Sequence, residues 1–415
     1  MLKNYLKITI AVMRRRKMFT FITLFGISMT LSILIVLTAF YEHIFSTNYP
    51  EPDRDRCLYG TIIEETDSKN NGTRRGPMSL SFITNYIKTL KTPEKVAFST
   101  TPGTVNTYGN GKKLRLFFKY TDPVFWEITR FEFLEGRPYT QHEIDRNAAV
   151  AVINNETRDD YFGKDVSAVG KTIEINGQYL QVIGVVRGCP ITRFIVAADV
   201  YMPYNLQKRD PANSSLSGEY AAIVLAKTKS DLPAIQREYA DVVPRIPLTQ
   251  SEGFKPDKLN ANLSTYFDSI VQDIFFSQRD GTARARFYTV ITLFALLFMS
   301  LPAINLVNIN ISRILERSSE IGIRKAFGAS SKTLVGQFVI ENIILTVFGG
   351  LLAISVAALF LWWFNGSHFI PYADLRIDWT VAAVAFLLSL VFGLMSGVYP
   401  AWRMSRLPAV QALKG

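Results

Sequence analysis

Four long uncharged stretches constrain this chain more than any other feature. Residues 18–40, 287–312, 342–364 and 379–402 contain no Asp, Glu, Lys or Arg, and each runs for 23–26 residues. A hydrocarbon core about 30 Å thick takes roughly 20 apolar residues as a helix, at about 1.5 Å per residue. Each stretch is therefore long enough to cross with some tilt. One such run can be the core helix of a soluble protein; four in one chain point to a membrane protein. The expected fold class is integral membrane α-helical, with four transmembrane helices and a large α+β extracytoplasmic domain of two lobes.

Charge sets the orientation. Lys3, Lys7, Arg14, Arg15, Arg16 and Lys17 precede the first run. Arg313, Arg317, Arg324, Lys325 and Lys332 lie between the second and third, and Arg403, Arg406 and Lys414 follow the fourth. Outside the spans these fourteen basic residues face only Glu316 and Glu320, while the rest of the chain, Glu341 of the third span included, holds 32 basic and 33 acidic residues. The whole of the net charge of +11 thus falls on one side, which the positive-inside rule makes cytoplasmic. Four spans also bring both termini to that side. Because the charge flanks the spans instead of covering a folded face, nucleic acid is not the implied partner. Trp362, Trp363, Trp379 and Trp402 sit at run ends, where aromatic belts form.

The expected organisation follows. Residues 1–17 form a cytoplasmic amphipathic helix with Leu2, Tyr5, Leu6, Ile10 and Met13 on its apolar face, lying along membrane lipid. Residues 18–40 are the first span. The run is about twice the length of a signal peptide's apolar region and no A-x-A-like site follows, so it reads as an uncleaved anchor. Residues 41–286 form the exported domain, 287–312 the second span, 313–337 a cytoplasmic loop and 338–364 the third span. Residues 365–378 are a short outer loop, 379–402 the fourth span and 403–415 a cytoplasmic tail. Glu341 is expected to snorkel from the cytoplasmic end of the third span.

The exported domain reads as mixed α and β. Asn176-Gly177, flanked by alternating apolar residues over 171–186, is a type I′ hairpin signal, and Asn110-Gly111 is a second. Residues 80–90 and 232–242 read as short amphipathic helices; 149–153 and 221–225 read as strands. Catalytic signatures are sparse. His43, His142 and His368 are far apart in sequence, and no G-x-S-x-G motif occurs. Gly170-Lys171-Thr172 lacks the earlier glycine of a phosphate-binding loop, since Asp165 stands there. Glu132, Glu135 and Glu143 read as solvated surface. Cys57 and Cys189 share a compartment that permits a disulfide, and the sequence leaves that pairing open.

The cytoplasmic loop is short, charged and helical in character. Ser318 or Ser319 can cap a helix through Glu320 and Ile321, and Gly328 is placed to end it. Its apolar tip among charges suits either rest on anionic lipid or docking in a partner's groove, and the physics leaves both open. In the second span, Pro302 is expected to kink the helix, and Asn305 and Asn308 to hydrogen-bond a neighbouring helix or simply pack among the spans.

Residues 316–329, Glu-Arg-Ser-Ser-Glu-Ile-Gly-Ile-Arg-Lys-Ala-Phe-Gly-Ala, resemble the signature of the FtsX/MacB class of ABC-transporter permeases. The ending from Tyr399-Pro400-Ala401 through Pro408-Ala409-Val410-Gln411-Ala412-Leu413-Lys414 is similar to that class. So are Gly136-Arg137-Pro138, 149–153, Val169-Gly170-Lys171 and 182–186 to its MacB-type periplasmic core domain. The order of one span, a large outer domain and three spans also matches. Where many relatives carry a glycine-rich stretch, this chain has 301–308 instead.

The resemblance implies a non-catalytic permease subunit in the bacterial inner membrane, moved by ATP and Mg on a separate cytosolic ABC ATPase, since the chain begins at the membrane. It implies a second permease copy or paralogue, and leaves a periplasmic adaptor open. Glu320, Ile321, Gly322, Arg324, Lys325, Phe327 and Gly328 would be the coupling helix docking the ATPase. The expected function is mechanotransmission that exports an envelope substrate such as a drug, peptide or lipid. An FtsX-like actuator of a cell-wall hydrolase or sensor is the alternative, and the large outer domain favours export. No catalytic, cofactor-binding or metal residue is expected in this chain.

Overall fold

A computed structural model describes the chain except residues 1–10, 12, 16, 165, 208–214, 249, 251–252, 276–281, 317–322, 324–330, 368 and 406–415. For residues 299, 301–303, 305, 306, 308–310, 312–316, 331–335, 337, 338, 392, 393 and 395–405 it describes the backbone alone. The chain divides into two units. The first comprises Met1–His43, Tyr288–Phe369 and Asp374–Gly415; the second comprises Ile44–Phe287 and Ile370–Ala373.

The first unit is built from long helices: most of Lys17–Phe45, nearly all of Ala283–Glu316, then Ser331–Ser367 and Trp379–Ser405. Its packing inverts that of a soluble protein. Small and polar residues face inward, while Phe21, Phe25, Leu293, Leu297, Leu359, Trp362 and Leu387 are exposed. Ile27, Leu31 and Ile35 pack against Ala353, Ala357, Ala382 and Ala385. A Cβ on Gly349 would stand 2.7 Å from Ile27, and one on Gly350 would stand 2.4 Å from Phe386. Close approach over small residues is how helices associate where burying apolar surface gives no drive. Ser32 Oγ hydrogen-bonds to the Ser28 carbonyl at 2.7 Å and the Ala353 carbonyl at 2.9 Å, so its hydroxyl is satisfied inside the bundle.

Lys17–Phe45 and Val339–Ser367 are long and apolar enough to cross a membrane. Trp379–Val391 is a shorter apolar helical stretch, and 287–312 lies within the helix Ala283–Glu316. Parts of these last two runs lie outside the described side chains. Glu341 corrects an expectation. It does not reach out to the lipid surface but is 5% exposed, buried as Asn342 and Thr346 are on the same helix.

The second unit is α+β. Its strands are β1 (Cys57–Gly60), β2 (Ile63–Asp67), β3 (Gly72–Gly76), β4 (Lys95–Thr100), β5 (Gly103–Gly109), β6 (Lys112–Thr121) and β7 (Phe133–Gly136). There follow β8 (Val150–Asn154), β9 (Thr172–Ile175), β10 (Gln178–Val186), β11 (Val200–Pro203), β12 (Tyr220–Leu225) and β13 (Lys258–Ala261). Ten strands form one sheet in the order β1-β12-β4-β6-β11-β8-β10-β7, with β5 on β6 and β9 on β10; β13-β2-β3 form a small second sheet. The β8–β10 and β6–β11 pairs are parallel. The expected two lobes are two halves of this one sheet, joined where β4 meets β6 at the single pair Ser99–Thr121.

Alternation explains why the central strands are apolar throughout. In β12, Ala222 and Val224 enter one core with Leu58, Phe98, Ile235 and Tyr239, while Ile223 and Leu225 enter another with Tyr59, Phe125 and Tyr201. In β8, Val150 and Val152 face that second core, and Ala151 and Ile153 a third with Ile173, Val182 and Met202. A strand covered on both faces needs apolar side chains at every position. Each fully buried Val, Ile or Leu contributes about 1.5–3 kcal/mol.

Both hairpins form as read. Asn176 and Gly177, with φ of 53° and 73°, join β9 to β10; Asn110 and Gly111, with φ of 47° and 70°, join β5 to β6. Leu232–Val242 is a helix, and the 80–90 segment is helical over Leu80–Phe82 and Ile83–Ile87.

Candidate functional site

The residues expected to dock an ATPase cannot be placed: Glu320, Ile321, Gly322, Arg324, Lys325, Phe327 and Gly328 lie outside the described residues. Ile323 between them is exposed. Pro302, Asn305 and Asn308 fall inside the helix Ala283–Glu316, but their side chains lie outside the described residues. The amphipathic helix expected over 1–17 is also largely outside them.

The described chemistry concentrates where the second unit begins and ends. Its first residues, Ile44 and Phe45, are the last of the helix Lys17–Phe45, and its closing segment runs from Ala283 to Phe287. The last carbonyls of a helix lack intrahelical partners. Here side chains supply them. Arg54 Nη1 donates to the Ile44 carbonyl at 2.9 Å and the Ser46 carbonyl at 3.0 Å. Arg193, 1% exposed, donates from Nη1 to Ser46 at 2.8 Å. Cations at a helix C-terminus also complement its dipole.

Burial would make these charges costly if they were unpaired. Arg54 Nη2 pairs with Glu51 Oε2, and its guanidinium lies 3.8 Å from the centre of the Tyr266 ring. Tyr59 donates to Glu51 Oε1 at 3.0 Å, which uses the second carboxylate oxygen. Burial works against the Arg54 charge, yet the Glu51 carboxylate, together with Tyr266 and Tyr59, offsets it and holds the guanidinium above its ordinary value. Burial and the like charge of Arg54 pull Arg193 down.

The segment carrying Arg193 is itself pinned. Buried Lys119 reaches across from β6 and donates to the carbonyls of Thr100, Phe194 and Ile195 at 3.1, 3.2 and 2.6 Å. Burial pushes its pKa down to about 7. Ser99 Oγ donates to the Ile195 carbonyl at 3.1 Å. Rings close the base. Phe45 meets Phe267 at 5.0 Å and Phe287 at 6.5 Å, and Phe267 meets Phe287 at 5.3 Å, all edge to face. Arg284 pairs with Asp268, its Nε 2.8 Å from Oδ1. Both chain ends of the unit are thus held in one cluster of charge and aromatic contacts.

This cluster brings together residues that no local pattern links. Glu51 and Arg54 read as a charged loop before β1, and Arg193 lies more than 130 residues further on. The three surface carboxylates have structural partners: Glu143 forms a capping box with Thr140 and pairs with Arg137, Glu135 pairs with Arg158 at 3.0 Å, and Glu132 pairs with Arg187 at 3.4 Å. Arg137 and Thr140 hold the Glu143 carboxyl down at about 2. Cys57 and Cys189 are unpaired thiols, and burial raises both. Among the described residues, no three His, Cys, Asp or Glu side chains are grouped to hold a metal.

Residues 20–242 match the MacB-like periplasmic core domain, and residues 292–409 match the FtsX-like permease C-terminal domain. The chain belongs to the ABC-transporter permeases that combine these two domains. Among its relatives is the uncharacterized ABC transporter permease YknZ of Bacillus subtilis, 23% identical over 96% of this chain and 95% of that protein. The macrolide export ATP-binding/permease protein MacB of Pasteurella multocida is 27% identical over 70% of this chain. The match spans 41% of that protein's length. The crystal structure of the YknZ extracellular domain from Gram-positive bacteria aligns with 49% of this chain and 98% of its own, at 14% identity and a TM-score of 0.36.

Proposed function

We propose that this chain is the transmembrane subunit of a mechanotransmitting ABC exporter. It has four spans, both termini in the cytoplasm and its 41–286 domain in the periplasm of a bacterial inner membrane. ATP and Mg are held by a separate cytosolic ATPase, and a second permease copy or paralogue completes the membrane part. The substrate is an envelope compound such as a drug, peptide or lipid. The observation that carries this reading is the base of the second unit. A domain whose first segment is held by buried arginines and whose last segment is held by packed rings and the Arg284–Asp268 pair passes on a displacement at that base instead of absorbing it in a slack linker. Interiors are close-packed and transmit strain for the same reason.

The ATPase docks on 313–337 through Glu320, Ile321, Gly322, Arg324, Lys325, Phe327 and Gly328, with Arg324 and Lys325 facing acidic groups. The test is purification of the tagged chain in mild detergent from its own host. A cytosolic ATPase is expected to co-purify. Arg324→Glu should cut its recovery at least tenfold while the thermal midpoint of the chain stays unchanged. Full recovery with this variant would refute the docking assignment. Absence of any ATPase from an intact wild-type preparation would refute the reading that a separate cytosolic ATPase drives this chain. A cell-wall hydrolase or sensor recovered with the outer domain would favour the actuator role.

A further inference from the structure

Residues 370–373 lie between the helices Ser331–Ser367 and Trp379–Ser405, yet they pack with the second unit. They form a turn in which the Ala373 N–H donates to the Ile370 carbonyl at 3.1 Å, with Pro371 and Tyr372 at its centre. Tyr372 has φ of 60°. Proline is common at the first central position of such a turn, but a positive φ at the second normally belongs to Gly or Asn. A bulky ring there is strained, and such strain persists only where surrounding contacts hold it.

The contacts are specific. The Tyr372 ring lies over Gly188, where an added Cβ would stand 2.2 Å from its Cζ. Only glycine leaves room for the ring. The Tyr372 hydroxyl donates to Asn155 Oδ1 at 3.2 Å, and the same oxygen accepts the Gly188 N–H at 2.8 Å. Asn155 opens the helix Asn155–Phe162, capped by Asn154, whose Oδ1 accepts the Thr157 N–H at 2.7 Å. Burial, with the Glu156 carboxylate close by, raises the phenol above its ordinary range. Gly188 stands five residues before Arg193, so one segment seats Tyr372 and also holds the end of the first helix through Ser46.

We infer that Tyr372 is a latch that fastens the loop between the third and fourth long helices onto the outer domain, with Gly188 as its seat and Asn155 as its hydrogen-bond partner. Residues 370–373, which link the third and fourth long helices along the chain, are thereby held within the second unit. The consequence for coupling, that motion of the third and fourth helices reaches the 188–193 segment directly, rests on the permease reading above. The latch itself needs no ATPase, so either can fail alone.

The test is hydrogen exchange of the full chain in lipid nanodiscs, comparing wild type with Y372G and G188V. Y372G removes the ring and relaxes the turn, so folding is not at risk from the turn itself. G188V fills the seat and leaves Tyr372 in place. The latch requires exchange at the Gly188 amide to quicken at least tenfold in Y372G, exchange over 370–375 to quicken similarly in G188V, and β12 to keep its protection in both. Unchanged exchange at residue 188 in Y372G overturns it. Loss of protection in β12 also overturns it, because the ring would then be a general packing element of the domain.

Discussion

At the scale of single residues, the junction depends on charges that cannot be removed one at a time. Truncating one partner of a buried ion pair leaves the other uncompensated and costs about 3–5 kcal/mol, whereas replacing both by apolar groups is often nearly neutral. Arg54→Met should therefore lower the thermal midpoint of the full chain sharply. The double variant R54M/E51L should recover part of that loss, and a double variant less stable than R54M would show that the hydrogen bond from Tyr59 to Glu51 outweighs the Glu51–Arg54 pairing. Lys119 gives a pH signature. Its folded pKa of about 7 lies below the ordinary value near 10.4, so the unfolded chain binds more protons between those limits. Its contribution to stability rises as pH climbs through that window, by at most about 1.4 kcal/mol per unit. Cys57 and Cys189, raised by burial, pull the other way in alkali. The informative quantity is thus the wild-type midpoint minus that of Lys119→Met, which should grow from pH 7 to 9.5. A flat difference would mean that the ammonium stays charged in the fold.

At the scale of elements, what could be read was what is encoded locally. The two hairpins announced themselves through Asn-Gly because only a positive φ at both turn positions matches strand twist. Strands β8 and β12 showed as short apolar runs because both faces are covered. The cluster of Glu51, Arg54, Lys119 and Arg193 stayed hidden because its members come from three distant segments and each looks like a solvated charge in its own neighbourhood. Glu341 was misread for a related reason: a carboxylate near the end of an apolar run suggests snorkelling, and only the packed helices show it buried. Glycines separate the two kinds of information. Gly177 has φ of 73° and open space around it, whereas Gly136 has φ of 65° and an added Cβ would stand 2.0 Å from the Ile183 carbonyl oxygen. Gly177→Ala should cost about 1 kcal/mol, from backbone strain alone. Gly136→Ala must also push β7 off β10, and should cost at least about 2 kcal/mol more. Comparing the two midpoints checks this, and equal losses would mean that the β7–β10 pairing yields freely at Gly136.

At the scale of the whole molecule, the outer domain and the helices answer to different solvents. The second unit hides apolar strands between layers, as a domain in water must. The first unit turns Phe, Leu and Trp outward and keeps Ala, Gly and Ser within, an arrangement that suits hydrocarbon as the surrounding solvent. Lys17–Phe45 and Val339–Ser367 satisfy the length and composition of spans on their described residues, and the basic flanks argue for two more with both termini inside. That topology makes a demanding prediction for labelling in intact cells with a membrane-impermeant maleimide. In a background lacking Cys57 and Cys189, a cysteine replacing Lys112, exposed beside the β5–β6 turn, should label from outside. A cysteine at position 318 or 411 should label only after the membrane is opened. Two spans instead of four would leave position 411 on the same side as 318 only if the helices Ser331–Ser367 and Trp379–Ser405 both failed to cross. A cysteine replacing Asp374, exposed in the loop between those helices, settles that case. External labelling at 374 with protection at 318 and 411 requires both helices to cross, and protection at 374 would reduce the chain to two spans and remove the loop from the side where Tyr372 could serve as a latch.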